Sequence, residues 1–224
     1  MKIALQAVTS SVVGFAAFLL MVFLPAGTFD YWRGWAFIAV FAVSTILPSI
    51  YLAATNPAAL KRRMQAGPAA ETRPLQKIII TVAFFSIGGM IVVSALDFRF
   101  GWSSVPAAVS VVGDVLVAVG LLIAMITTIQ NGYAAANINV ESDQTVVSTG
   151  LYSVVRHPMY FGNVVLMIGV PLALGSYWGL LFVIPGLVVL ATRILDEEKV
   201  LAHELTGYTD YEQRVHYRLV PGVW

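Results

Sequence analysis

Two polar blocks in the second half of the chain hold residue types that could do chemistry. The first ends in Arg156-His157-Pro158, directly before a long uncharged stretch. Proline favours the first position of a helix, and the free amides at a helix N-terminus, beside an arginine and a histidine, suit a carboxylate or a phosphate. The alternative is an interfacial anchor, in which the same side chains hold lipid headgroups. The spacing alone leaves both interpretations open.

The second block begins at Arg193 and continues as Asp196-Glu197-Glu198-Lys199. Arg193 and Glu197 are four residues apart, so on a helix they would share one face and could pair. A charge at the end of a membrane span is costly unless it is paired or functional. The pair either marks the membrane boundary or belongs to a polar pocket that both blocks form. Four tyrosines are available as walls of such a pocket: Tyr152, Tyr160, Tyr208 and Tyr211.

Long apolar segments must position these blocks. The chain is 58% hydrophobic and 11% charged with a mean hydropathy of +0.82, whereas soluble domains are about 25% charged. A membrane-spanning helix needs about 20 mostly apolar residues. Four predicted spans satisfy this requirement: Ile3–Leu24, Gly34–Thr55, Ile78–Leu96 and Val105–Gln130.

The uncharged stretch Met159–Thr192 is too long for one span and is interrupted by Gly175-Ser176, a dipeptide typical of turns. It predicts a hairpin of two short membrane helices, which would bring the two polar blocks together on one side. The predicted fold class is therefore all-α: a polytopic integral membrane protein with five to six transmembrane helices, a C-terminal helical hairpin and a cytoplasmic cofactor pocket. Residues 1–136 would form a four-span region, and 137–224 a core integrated with it into one domain.

The basic residues predict the orientation. The connection between the second and third spans holds the densest basic cluster, and the positive-inside rule places it in the cytoplasm. Both termini are then cytoplasmic, in a multi-pass protein of the cytoplasmic or inner membrane. The cluster consists of Lys61, Arg62, Arg63, Arg73 and Lys77.

Several function classes receive no support from the composition. The net charge of +1 does not indicate nucleic-acid binding. The absence of cysteine excludes disulfides, thiol nucleophiles and cysteine-ligated metals. The three histidines, His157, His203 and His216, form no metal-ligand pattern, so we expect no metal site.

Taken together, the two blocks resemble the isoprenylcysteine carboxyl methyltransferase family in order and spacing, including the uncharged hairpin between them. The resemblance covers about residues 137–221, the first four spans are similar to those of bacterial members, and the related phospholipid N-methyltransferases share the Glu-Glu element. The residues that carry it are Gly150-Leu-Tyr152, Arg156-His157-Pro158-Met-Tyr160, Arg193-x-x-x-Glu197-Glu198 and Gly207-Tyr208-x-x-Tyr211.

The resemblance implies a methyltransferase that uses S-adenosylmethionine. It assigns catalysis to Arg193 and Glu197, with Arg193 facing the substrate, an isoprenylcysteine-like carboxylate or another lipidic acceptor. A further cofactor contact would fall at about Asn137. The implied partners are the lipid bilayer and a lipidic or prenylated substrate. Carried over position by position, the cofactor-binding residues are Gln144, Thr145, Val146, Val147, Tyr152, His157, Pro158, Met159, Tyr160 and Glu197.

Other functions stay open at this point. A phospholipid amine N-methyltransferase needs a base near its nucleophile, and Glu198 is available. A membrane reductase with a nicotinamide cofactor should carry several basic residues for the cofactor phosphates, but residues 137–160 offer only Arg156. A non-enzymatic scaffold or a transporter would carry charged or broken helices at mid-membrane. In the third and fourth predicted spans, Asp114 is the single charged residue.

Overall fold

The computed structural model describes residues 2–64, 67, 71, 73–134 and 140–224, with side chains from residue 14 onward. These residues form helices and connections, without a strand among them. The α-helices are α1 (Lys2–Ala26), α2 (Trp32–Thr55), α3 (Pro57–Met64), α4 (Pro74–Phe100), α5 (Ala107–Gln130), α6 (Pro158–Ala173), α7 (Val183–Glu204) and α8 (Tyr208–Arg214). Two short 3₁₀ helices, Gly150–Ser153 and Trp178–Phe182, precede α6 and α7.

Four of the described helices are long and apolar enough to cross a membrane: α2, α4, α5 and α7 with its preceding 3₁₀ helix. Their outer faces carry large apolar side chains that the protein does not cover, such as Phe85 on α4 (77% exposed) and Ile184 on α7 (65% exposed). Lipid is the medium in which such surfaces are stable, so the fold is that of a membrane protein. The part of α1 whose side chains are described, Gly14–Ala26, and the whole of α6 are apolar but shorter. The number of complete crossings stays a prediction.

Helices α5 and α6 pack against each other more extensively than any other pair of described elements. Glycines allow this approach: a Cβ added to Gly120 would lie 2.6 Å from the carbonyl oxygen of Gly162, and one added to Gly113 would lie 2.1 Å from the backbone nitrogen of Ala173. Small residues at helix interfaces let membrane helices approach closely. Because α6 begins with Pro158, this packing also fixes the position of the motif at its N-terminus.

The predicted hairpin is present, and its turn is held by buried polar groups. The chain reverses at Gly175, whose φ of +72° is in the left-handed region that glycine adopts readily. The Tyr31 hydroxyl donates a hydrogen bond to the carbonyl oxygen of Leu174 (2.5 Å). The Ser176 hydroxyl donates to a carboxylate oxygen of Asp97 (2.5 Å). The end of the bundle opposite the polar blocks is thereby fixed.

Two ion pairs gather the polar connections at the other end. Arg62 on α3 donates to both carboxylate oxygens of Glu141, at 2.5 and 2.7 Å. Arg73, just before α4, donates to Asp196 on α7 at 2.8 Å. These ion pairs therefore bind the connection between α2 and α4 to the segment after α5 and to the last turns of α7. Helix α7 continues to Glu204, so all of the second polar block is helical.

Candidate functional site

A solvent-open cavity lies at the polar end of the bundle, and about 800 Å³ of empty space, open solvent at its mouth included, lies within it and in front of it. The start of α6, the last turns of α7, helix α8 and parts of the segment between α5 and α6 surround it. Every described residue to which the resemblance assigns a cofactor contact lies in its lining, although the assignment itself stays a prediction. These residues are Gln144, Thr145, Val146, Val147, Tyr152, His157, Pro158, Met159, Tyr160 and Glu197.

The tyrosines expected as walls are also in the lining, together with residues that the sequence did not indicate. Leu201 and Leu205 follow Glu197 at intervals of four residues, Leu201 on the same face of α7 and Leu205 directly after the helix, a signal that could have found them. The side-chain amide of Asn131 donates to the Tyr152 hydroxyl at 3.2 Å. Asn137 lies outside the described residues. The lining residues not predicted as cofactor contacts are Asn131, Tyr133, Ala134, Arg156, Leu201, Leu205, Tyr208 and Tyr211.

Tyr160 connects the two residues that were predicted to be catalytic. Its hydroxyl donates to Glu197 at 2.5 Å and accepts a hydrogen bond from the Arg193 Nε at 2.8 Å. Arg193 is only 8% exposed and lies behind Tyr160, outside the lining of the cavity. A tyrosine hydroxyl therefore bridges the arginine and the carboxylate that their spacing on α7 predicted as a pair.

Arg193 also contacts the connection before α4 and the first turn of α4. Its Nη1 donates to Gln76 at 2.8 Å and to Glu71 at 3.2 Å. Glu71 is 3% exposed, and its second oxygen, Oε2, has no hydrogen-bond partner among the described residues. Gln76 also donates to Asp196. The basic segment 61–77, interpreted from the sequence as a topology signal, thus contributes buried polar groups beside the cavity.

Glu198 joins three basic side chains. Its Oε1 accepts from Arg156 at 2.7 Å and lies 3.2 Å from the Nε2 of His157, while its Oε2 accepts from Arg218 at 2.7 Å. Both carboxylate oxygens are therefore used, and Glu198 is 6% exposed. Arg156 and His157, which the sequence offered as binders of an external anion, are instead held by a carboxylate of the protein.

Helix α8 lines one side of the cavity, and the C-terminal tail, residues 215–224, follows it. The backbone nitrogens of Arg156 and His157 donate to the carbonyl oxygens of Tyr217 and Arg218, both at 2.9 Å. On α8, the Tyr211 hydroxyl donates to the carbonyl oxygen of Tyr152 at 2.7 Å. Helix α8 and the tail are thus bound to both sides of the 150–157 motif.

Burial changes the acidity of the tyrosines in this wall. It raises the pKa of Tyr152 to about 12, and it also raises the pKa of Tyr208 and of Tyr211. All three phenols are therefore neutral at physiological pH. They present uncharged ring faces and hydroxyl groups to the cavity, and the Tyr208 hydroxyl has no hydrogen-bond partner among the described residues.

Comparisons with known proteins agree with the family resemblance. Residues 108–206 match the family model of phospholipid methyltransferases. Among solved structures, the eukaryotic intramembrane Ras methyltransferase ICMT (isoprenylcysteine carboxyl methyltransferase) is similar to this chain at 17% identity and a TM-score of 0.49, covering 97% of this chain and 86% of that one. No curated protein matches the chain. The family match spans α5, the motif at α6 and the Glu-Glu element of α7, which is under half of the chain, and it supports a membrane methyltransferase.

Proposed function

We propose that this protein transfers a methyl group from S-adenosylmethionine to a lipidic acceptor at the cytoplasmic face of the cytoplasmic or inner membrane. The observation that carries the proposal is the cavity at the polar end of the bundle. It gathers, from separate segments of the chain, every described side chain to which the resemblance assigns the cofactor. The family match to phospholipid methyltransferases supports the same class of reaction.

The chemistry of the cavity fits this cofactor. Neutral aromatic faces, such as that of Tyr152, attract a cation such as a sulfonium. The carboxylate of Glu197 is an acceptor for ribose hydroxyls or for the adenine amine.

The residues of the chain contribute mainly by positioning. When bound, S-adenosylmethionine supplies an electrophilic methyl group. Tyr160 donates a hydrogen bond to Glu197 on the cavity side and accepts one from Arg193 behind it, so two hydrogen bonds fix the three side chains relative to one another. A carboxylate acceptor is already a nucleophile at neutral pH and needs no base, so orientation accounts for most of the rate enhancement. The apolar tail of the acceptor would lie among the membrane helices.

An amine acceptor is the second candidate, because the matching family model is that of phospholipid methyltransferases. An amine must be neutral to attack, so this reaction needs a proton acceptor near the nucleophile. Glu198, which the sequence left available for this role, is occupied by Arg156, His157 and Arg218. Glu71 is the better candidate, because one of its buried oxygens has no partner among the described residues.

Loss of the Glu197 carboxylate should weaken cofactor binding. We expect the detergent-purified protein to bind S-adenosylhomocysteine saturably in calorimetry, and Glu197→Ala to bind it roughly 10- to 100-fold more weakly, the worth of a charge-assisted hydrogen bond. Glu204→Ala is the matched control, since Glu204 lies on the same helix but is exposed. If the folded wild type shows no binding at millimolar ligand, the proposed cofactor is wrong. Unchanged affinity in the Glu197 variant would remove only that residue's assignment.

The chemical class of the methyl acceptor can be identified from whether alkali releases the methyl group from the product. With a tritiated methyl donor, an S-prenylcysteine probe should give label that alkali releases as methanol, because methyl esters hydrolyse and N-methyl groups do not. We expect Arg193→Lys, which keeps the charge opposite Glu71 but loses the planar fork, to lower this transfer about 100-fold through misplacement. Its affinity for S-adenosylhomocysteine should be nearly unchanged, and the exposed Arg214→Lys is the control. Alkali-stable label in phosphatidylethanolamine vesicles would instead favour the amine candidate, and full activity of Arg193→Lys would contradict its role.

A further inference from the structure

Most cations near the cavity are balanced by carboxylates of the protein. Two of them, Arg156 and Arg218, meet at Glu198, which His157 also contacts. Arg193 lies 3.2 Å from Glu71, and Arg62 on α3 is bound by both oxygens of Glu141. These cations are therefore already neutralised before any ligand binds.

Arg63, the next residue on α3, differs from them. Among the described residues it has no carboxylate partner, and its hydrogen bond runs from Nη1 to the sulfur of Met159 at 3.0 Å. A thioether is a weak acceptor, whereas a guanidinium carries five N–H donors. Arg63 is partly buried, and burial lowers its pKa, as expected for a cation withdrawn from water without a counter-ion.

The position of Arg63 directs this unbalanced charge toward the cavity. Its partner Met159 lines the cavity and is the second residue of α6. Pro158 has no N–H, and the amides of Tyr160 and Phe161 donate to the carbonyl oxygen of His157, so the Met159 amide is the donor that this end of α6 offers. The electrostatic neighbours of Arg63 are Tyr160 and Tyr152, which are also in the lining. A cation beside a helix N-terminus favours a small anion such as a carboxylate. The unbranched side chain of Met159 is flexible enough to give way to one.

We propose that Arg63 binds the carboxylate of the methionine half of S-adenosylmethionine, taking it as hydrogen-bond partner in place of the Met159 sulfur. This inference rests on the proposed function. The carboxylate is the single anionic group of that cofactor, whose sulfonium and amino groups are cations. The described residues offer a matching pattern: the cavity lining presents neutral tyrosine faces and the Glu197 carboxylate, and Arg63, without a carboxylate partner among them, lies outside the lining against Met159.

Two ligands separate a carboxylate contact from a general effect. S-adenosylhomocysteine carries the amino acid moiety, and 5′-methylthioadenosine has the nucleoside and the sulfur without it. We expect Arg63→Ala to weaken calorimetric binding of S-adenosylhomocysteine by roughly 10- to 100-fold and that of 5′-methylthioadenosine by less than about twofold. Arg63→Lys should recover part of the loss because it keeps the charge. Lys61→Ala, an exposed cation on the same helix, should match the wild type for both ligands.

Two results would overturn this inference alone. If Arg63→Ala weakens both ligands equally, Arg63 supports the shape of the cavity and does not bind the carboxylate. If the affinity for S-adenosylhomocysteine is unchanged in Arg63→Ala while the wild type binds it, the cation serves another group, such as an acid on the acceptor. A folded wild type that binds neither ligand would instead overturn the proposed function, and this inference with it.

Discussion

Glu198→Ala should lower the free energy of unfolding by about 3–5 kcal/mol, the cost of breaking a buried ion pair from one side. The variant leaves the side chain of Arg156, which is 3% exposed, without its principal counter-ion. His157 and Arg218 lose the same partner. Because these residues hold the 156–157 motif against α7 and the tail, the cavity should lose its shape together with the stability.

Thermal unfolding in detergent, with S-adenosylhomocysteine calorimetry beside it, measures this effect. Glu212→Ala is the matched control, because Glu212 lies 3.5 Å from the same Arg156 but its side chain is 35% exposed. Exposed pairs contribute about 0–1 kcal/mol, so the control should stay close to the wild type. Glu198→Gln keeps the shape and two hydrogen-bonding atoms and should fall between them. If Glu198→Ala has the melting temperature of the wild type, Arg156, His157 and Arg218 find other hydrogen-bond partners in the variant.

Gly113→Ala should destabilise the protein by about 1–3 kcal/mol or more, although alanine is the better helix former. The added methyl group would lie 2.1 Å from the backbone nitrogen of Ala173, and no rotamer change of a side chain can relieve a clash with backbone. Helices α5 and α6 must then separate. Because α6 carries the motif at its other end, cofactor affinity should fall as well.

Gly88→Ala on α4 provides the contrast for this prediction. The nearest atom to a Cβ at that position is the Met21 sulfur at 4.0 Å, an ordinary contact distance. Helix propensity then acts alone and favours alanine by roughly 0.5–1 kcal/mol. The two substitutions are chemically identical, so opposite signs in the melting temperature isolate the helix–helix contact. Equal changes at both positions would mean that α5 and α6 are not closely packed.

The membrane helices could be predicted from the sequence because each apolar segment signals its own burial in lipid. The fourth predicted span, Val105–Gln130, corresponds to α5 at Ala107–Gln130. The hairpin was predicted to end at Thr192, where the uncharged stretch ends, but α7 continues to Glu204. Hydropathy marks where the lipid ends, whereas a helix continues as long as its polar side chains have partners in the protein.

The site could be predicted only where the information is local or carried by a family motif. The spacing of Arg193 and Glu197 correctly placed them on one helix. It could not indicate that Glu71 and Gln76, 122 and 117 residues away in the chain, would contact Arg193. Contacts between helices depend on how the helices pack, and periodicity along one helix does not contain that information. For the same reason, Glu198 was not expected to neutralise the cations of the first block.

The tail after α8 supports the site largely through backbone atoms. Its carbonyl oxygens at positions 217 and 218 accept the amides of Arg156 and His157, although the family match ends at residue 206. A carbonyl oxygen is present whatever side chain the residue carries, apart from the added contribution of the Arg218 guanidinium. Selection on this site would therefore constrain the length and path of the tail more strongly than its composition. In proteins that share the cavity, the residues just before the C-terminus would keep their spacing from the Glu-Glu element while their side chains diverge.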